Sequence, residues 1–472
     1  IIENLDLVIS VDTSVAHLAG AMGKPVWNLI YYYPDWRWGL EGSTTPWYPS
    51  MKLFRQAQPF QWMSVLEKVK SELELFAQRK LNDAAGKEKS WTFRERKTLY
   101  TGLAKGNNFG WGVCSNYLRE ELSKKITIIN LDENDNLFSS TKVDDIVLHA
   151  LVDIDMHSLF DIRGKYNIAY TFFENELTPL SLQNLKNYDV VFVGSTWNKT
   201  KLEQAGVENV ELLIQGIDQK IFYPTNASPV TSNYFKIFSG GKFELRKGQD
   251  MVLKAIKILQ QKHRDIILVN AWYNYLPATM TLMSKSKHLN FENVGEKWQE
   301  SLHQAFITNS LDRVGDLWVE HMRNIYKSNS IDAGRILTFP LVANKNSREL
   351  YLNTDLGLFP NRAEGGTNLV LMEYMACGKP VIASFSTGHK DMLTEENSIP
   401  LKKMREYKLY NDNGILTADW EEADMDEIIS AIEYAYFNRD TIKNIGAQAA
   451  QDLKQYTWSA TAEKLLTVLD RF

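Results

Sequence analysis

The stretch EGGTNLVLMEYMACGKPVIAS, Glu364 to Ser384, decides how this chain is read. It sets a carboxylate before two glycines, then an apolar helix-forming run with a second carboxylate inside it, then a glycine stop and the strand-like PVIAS. The preceding DLGLFP reads as a buried strand, so the order is strand, loop, helix, strand, the unit of a parallel α/β sheet. Ligands of such sheets bind at the carboxyl ends of the strands, where Glu364 stands. Gly365 and Gly366 let backbone approach a ligand closely. A helix opening at Thr367 or Asn368, with Leu369 in its first turn, turns free N–H groups toward an anion. Glu373, within that helix, leans back toward the same end. Two carboxylates then bracket a phosphate-bearing ligand, each able to accept from hydroxyl groups. The alternative is a capped amphipathic helix whose acids are incidental.

Working outward, FSGGKFELRKGQD (238–250) repeats the theme. Gly240 and Gly241 end a strand in an anion-binding turn. Lys242 and Lys247 are placed to reach a diphosphate as point charges, unless they are a solvated pair at a helix start. KGNNFGWGV (105–113) offers Gly110 and Gly112 at the first turn of an earlier domain. It is not the dinucleotide fingerprint, and a plain loop is the simpler reading of it.

The alternation of strands and helices divides the chain. Residues 1–80 read as a partial α/β segment, with LDLVIS, PVWNLI and MKLFRQ as strands. Residues 81–97 read as a polar, mostly basic linker. Residues 98–228 and 229–445 read as two doubly wound, Rossmann-like domains, with a second linker at 223–233. Residues 446–472 are helical, and 274–330 is an insertion without clear pattern.

Composition limits the function. The 472 residues are 44% hydrophobic and 24% charged, as in soluble enzymes, and 53 basic against 58 acidic residues argue against a nucleic-acid partner. The two cysteines, Cys114 and Cys377, form no disulfide framework or zinc spacing and point to a reducing, cytoplasmic compartment. There is no acidic metal cluster, and no metal or other cofactor is expected. No run is long and apolar enough for a transmembrane segment, and peripheral membrane contact stays open. The first residue is Ile1 rather than Met, which reads as a processing boundary.

On GGKFELRKG, QGIDQKIFYP (215–224) and the segment from Glu349 to Ser384, residues 98–472 resemble the retaining glycosyltransferases of family 4. The resemblance implies the GT-B architecture, two Rossmann-like parallel-sheet domains facing a cleft. It also implies transfer of a sugar from a nucleotide-sugar donor to a glycan, lipid-linked or protein hydroxyl. By that resemblance Glu364 contacts the donor sugar, Glu373 the ribose, and Lys242 and Lys247 the diphosphate, while the last helix crosses back to the first domain. Two departures stand out: Lys242 replaces the usual arginine, losing its two-pronged fork, and Glu364 and Glu373 lie one residue further apart than the common pattern. In the acceptor-side domain, YNIAYTFFENE (166–176) resembles a family segment whose acid is Glu174, and His149 and His157 are candidates for a histidine near the reacting sugar.

Residues 1–80 resemble the latter part of the nucleotide-binding half of heptosyltransferase-like and O-linked-GlcNAc-transferase-like proteins, with Asp12, Thr13, Ser14 and His17 matching the diphosphate-binding helix start. A structural role for this partial module is the simpler expectation. An epimerase or phosphorylase on the same architecture, or a non-catalytic scaffold using the aromatic run YYYPDWRW, remains as an alternative.

Overall fold

The computed structural model describes residues 2–59, 61–85, 98–106, 110–131, 141–225, 233–274, 277–291, 295, 298, 300–301, 304, 311–340 and 342–472. The chain falls into two compact units, residues 1–90 and 91–472. The middle of the GNNFGWG turn, most of the expected 81–97 linker and 226–232 of the second linker lie outside the described residues.

In the first unit, strands β1 (Val8–Val11), β2 (Val26–Ile30) and β3 (Met51–Arg55) form a parallel sheet in that order. The helix Ser14–Ala21 buries Ala16 and Ala19 with Val8, Val26, Ile30 and Trp38. The helix Met63–Ala85 sets Val65 and Val69 on Trp27, Leu29 and Phe54. It runs to Ala85, beyond the boundary expected at residue 80, because Leu81, Ala84 and Ala85 are strong helix formers. His17 is tied within this unit: its Nδ1 lies 3.0 Å from the Tyr48 hydroxyl, its Nε2 3.6 Å from Asp12, and its ring stacks on Trp38. The aromatic run is divided, with Trp38 in the core and Tyr33 and Trp36 exposed.

The second unit holds two six-stranded sheets. β4 (Thr98–Gly102), β5 (Thr127–Asn130), β6 (Thr141–Ala150), β7 (Ile162–Thr171), β8 (Val190–Val193) and β9 (Val210–Leu212) pair in the order β5-β4-β6-β7-β8-β9, all parallel. β10 (Phe235–Lys242), β11 (Ile266–Tyr273), β12 (Ile336–Thr338), β13 (Leu356–Phe359), β14 (Val381–Ser384) and β15 (Ile399–Leu401) pair in the order β12-β11-β10-β13-β14-β15, also all parallel. Every residue of β8, β13 and β14 is buried, which is why these strands read as unbroken apolar runs. The strand order reverses between β4 and β6 in one sheet and between β10 and β13 in the other, and each reversal opens a crevice at the carboxyl ends. This is an α/β fold of two Rossmann-like domains.

The helix Trp458–Leu469 packs on the first sheet domain, where Trp458, Leu465 and Leu469 share a core with Leu99, Val113 and Leu118. Ion pairs from Glu463 to Lys125 (2.9 Å) and from Arg471 to Glu211 (2.7 Å) flank it. Part of the unplaced 274–330 stretch is the helix Leu311–Ser328, whose Val314, Trp318 and Met322 join the core of the second sheet domain. An antiparallel hairpin, β16 (Met404–Tyr410) and β17 (Leu416–Ala423), adds to the same core through Tyr407 and Trp420. Among the described residues no helix is long and apolar enough to cross a membrane.

Candidate active site

β10 and β13 are neighbours, so the two motifs that follow them converge. The turn after β10 carries Lys242, Arg246 and Lys247; the loop after β13 carries Glu364. Lys247 Nζ lies 2.5 Å from Glu364 Oε1, and Arg246 Nη1 3.3 Å from Glu364 Oε2. Asn361 Nδ2 also donates to Oε1. Burial pushes the Glu364 carboxyl upward, but Lys247 and Arg246 outweigh it and hold the group at about 2. Glu364 is therefore an anion throughout the physiological range. Burial lowers Lys247, with Glu364 working against the shift. Lys242 Nζ stands 3.3 Å from Glu244 Oε2.

A buried arginine fixes this convergence. Arg362 is fully buried, and its guanidinium takes both oxygens of Asp250 at 2.8 and 2.7 Å and Glu422 at 2.6 Å. Its Nη1 donates to Leu245 O (2.5 Å) and its backbone N–H to Arg246 O (2.7 Å), so it clamps the cationic turn to the Glu364 loop.

The helix Leu369–Ala376 begins beside this cluster. Its N-cap, Asn368, has a left-handed φ of 62°, and its Oδ1 accepts from Leu371 N. His389 supports it from below. The ring Nδ1 faces the Ser384 carbonyl, which can only accept, so Nδ1 carries the proton and Nε2 accepts from Asn368 Nδ2 at 3.2 Å. Burial holds His389 at about 4, which keeps it neutral at pH 7. Glu373, one turn into the helix, accepts from Asn344 Nδ2 (2.5 Å) and from the Tyr351 hydroxyl (3.1 Å). Burial outweighs both bonds and raises its carboxyl to about 8.

The first sheet domain faces this site. Glu174 accepts from Gly365 N at 3.1 Å and pairs with Arg246 at 3.1 Å, and its carbonyl accepts from Trp420 Nε1 at 2.7 Å. Ser195 Oγ donates to Gly365 O at 2.7 Å. A Cβ on Gly365 would lie 2.6 Å from the Phe173 backbone, so only glycine lets the domains close here. Between them lies a cleft of about 550 Å³, a size common for small-molecule sites.

The structure brings together on this cleft Glu364, Lys242, Lys247, Gly240, Gly241, Gly366, Asn368, Leu369, Glu373, Gly110 and Glu174. Gly241, at φ 117°, makes the turn that carries Lys242. Four expected residues are not on it. Thr367 is fully buried, with its hydroxyl on Met372 Sδ. Gly112 is buried against the Gly106 backbone. His149 is fully buried at the end of β6, with Nδ1 on Ser158 and Nε2 on Asn167, and burial holds it at about 4. His157 is exposed and paired with Asp153 at 2.8 Å. For both histidines, proximity to a strand end in sequence is satisfied by local partners. Arg246, Asn344, Tyr351, His389, Trp111 and Phe172 went unremarked in the sequence. Arg246 had a signal, since it sits between Phe243 and Gly248 in the cationic turn; Asn344 is brought in only by tertiary folding.

With this geometry in place, residues 235–433 match the family model described as glycosyl transferases group 1. The match covers the second sheet domain from its first strand into the helix after β17. It begins at the first residue of β10 and so contains the cationic turn, Glu364 and Glu373. No curated protein matches the chain. Solved structures similar to it include sucrose-phosphate synthase from Thermosynechococcus elongatus, 11% identical with a TM-score of 0.47 over 99% of each chain. HepE of Anabaena in complex with UDP-glucose is 13% identical, TM-score 0.45, over 99% of this chain and 100% of that one. A glycosyltransferase from Rickettsia africae is 12% identical, TM-score 0.43, over 99% of this chain and 98% of that one. These likenesses are distant, and the fold reading stands on the strand orders themselves.

Proposed function

We propose that the second unit transfers a glycosyl group from a nucleotide-sugar donor to a hydroxyl acceptor, with retention at the anomeric carbon. The observation that carries the reading is the buried Lys247–Glu364 pair at the β10–β13 switch point, opening on a cleft between two sheet domains. Lys242, Lys247, the Gly240–Gly241 turn and the N-terminus at Asn368 would receive the diphosphate. Glu364, held ionised, would accept from sugar hydroxyls, and Glu373 from the ribose. In the transfer the acceptor oxygen bonds to the anomeric carbon as the sugar–phosphate C–O bond breaks. The bonding pair stays on the departing diphosphate, which takes up the hydroxyl proton. Retention is the stereochemistry that the family resemblance implies, with attack and departure on one face of the sugar. The Gly365 and Glu174 contacts that close the domains would exclude water and limit hydrolysis.

The supporting charge balance is local. Lys242, Arg246 and Lys247 line the cleft together with Glu174, Glu364 and Glu373, and Glu373, at about 8, is mostly uncharged at neutral pH. Glu244, beside the cleft, also pairs with Lys242 at 3.3 Å and Arg246 at 2.7 Å, so an incoming diphosphate would compete with it for these cations. Among the described residues no group of three or more His, Cys, Asp or Glu is placed to hold a metal ion. The test is a panel of nucleotide sugars scored for binding and slow hydrolysis, followed by NMR of the product's anomeric configuration. One donor should bind and hydrolyse and give a product of the donor's configuration; binding of none, or an inverted product, would refute the reading.

A further inference from the structure

We propose that the acceptor is an uncharged polyhydroxyl group, such as a neutral sugar residue, seated in a second cavity beside the donor cleft. This rests on the transfer reading and specifies its acceptor side. The cavity, about 290 Å³, shares Val152, Phe172, Glu174, Lys242 and Arg246 with the cleft, so the two spaces meet where the diphosphate is expected. Both sheet domains build it: the loop after β7 supplies Glu174 to Glu176, and the turn after β10 supplies Glu244 to Arg246.

Its lining carries more acids than bases. Asp153, Glu174, Glu176 and Glu244 face two cations, Lys242 and Arg246. Both cations pair with acids of the cavity, Arg246 with Glu174 at 3.1 Å and Glu244 at 2.7 Å, Lys242 with Glu244 at 3.3 Å. Lys201, paired with Glu176 at 2.5 Å, and His157, paired with Asp153 at 2.8 Å, reduce the negative excess without reversing it. A phosphate or uronate here would meet like charge, whereas a hydroxyl finds acceptors. Trp420 and Phe172 add apolar wall suited to sugar C–H faces.

The test uses the full chain and the donor selected by the nucleotide-sugar panel. Transfer is measured to methyl hexopyranosides, to the same glycosides bearing a 6-phosphate, and to methyl uronides, beside donor hydrolysis without acceptor. Asn175, exposed on the cavity wall, is replaced in N175W to obstruct it, with I154W as a second obstruction. Neutral acceptors should be used at least tenfold better than either anionic class. N175W or I154W should lose at least tenfold in transfer while keeping donor hydrolysis within about twofold. Anionic acceptors used as well as neutral ones, or unchanged transfer in both variants, would overturn the proposal while leaving the donor reading intact. If no nucleotide sugar binds the wild-type chain, the transfer reading itself fails, and this proposal with it.

Discussion

Lys247 Nζ lies 2.5 Å from Glu364 Oε1, joining the turn that ends β10 to the loop that ends β13. Both side chains are nearly buried, so each is the other's solvation. Replacing Glu364 with glutamine leaves Lys247 without its ion-pair partner, while Arg246 keeps Glu174 and Glu244. Glu364→Gln should lose about 3 kcal/mol of stability and at least tenfold in turnover. Chemical denaturation and donor hydrolysis check the two effects separately, and Lys247→Met added to Glu364→Gln should restore part of the stability but none of the activity.

The same pair sets an acid limit. The Glu364 carboxyl falls from an ordinary value of 4.5 to about 2 on folding. A lowered folded value stabilises above the unfolded value and is lost as pH falls through the folded one, so its share of stability should disappear between about pH 4.5 and pH 2. Glu364→Gln should flatten that part of the wild-type profile.

Glu373 gives the opposite sign. Burial raises it to about 8, so above pH 4.5 the unfolded chain releases a proton that the folded chain keeps. Stability should therefore decline between about pH 4.5 and pH 8, with a slope from this group of at most about 1.4 kcal/mol per pH unit. In Glu373→Gln this slope should vanish. A variant whose stability runs parallel to wild type across this range would show that Glu373 ionises normally.

Closure of the domains hangs on Gly365. A methyl group there would meet the Phe173 backbone at 2.6 Å, with no flexible side chain to yield. Gly365→Ala should hold the domains apart, raise the radius of gyration seen by small-angle scattering, and increase the ratio of donor hydrolysis to transfer.

The strands were legible because they are buried on both faces. DLGLFP, DVVFVGS and PVIAS each leave an unbroken apolar run between turn residues, and in a parallel sheet that pattern has few other readings. The acids and lysines were legible because glycines and a helix start surround them. The hairpin of β16 and β17 was missed although NDNG between alternating segments is a turn signal, because EYKLY and ILTADW carry too few apolar residues to stand out. Asn344, His389 and the Arg362 clamp were not legible, since each acts on residues far away in sequence and a lone polar residue in an α/β chain carries no mark of its partner. His149 misled for the same reason: its burial and its bonds to Ser158 and Asn167 exist only in the folded sheet.

The central claim, that the turn after β10 receives a diphosphate, is tested most directly by calorimetric titration of nucleosides and nucleoside diphosphates into the wild-type chain and into Lys242→Ala and Lys247→Ala. At least one nucleoside diphosphate should bind at least tenfold more tightly than its nucleoside, and each lysine variant should lose most of that difference while still binding the nucleoside. Equal affinity for nucleoside and diphosphate, or variants that keep the full difference, would contradict it.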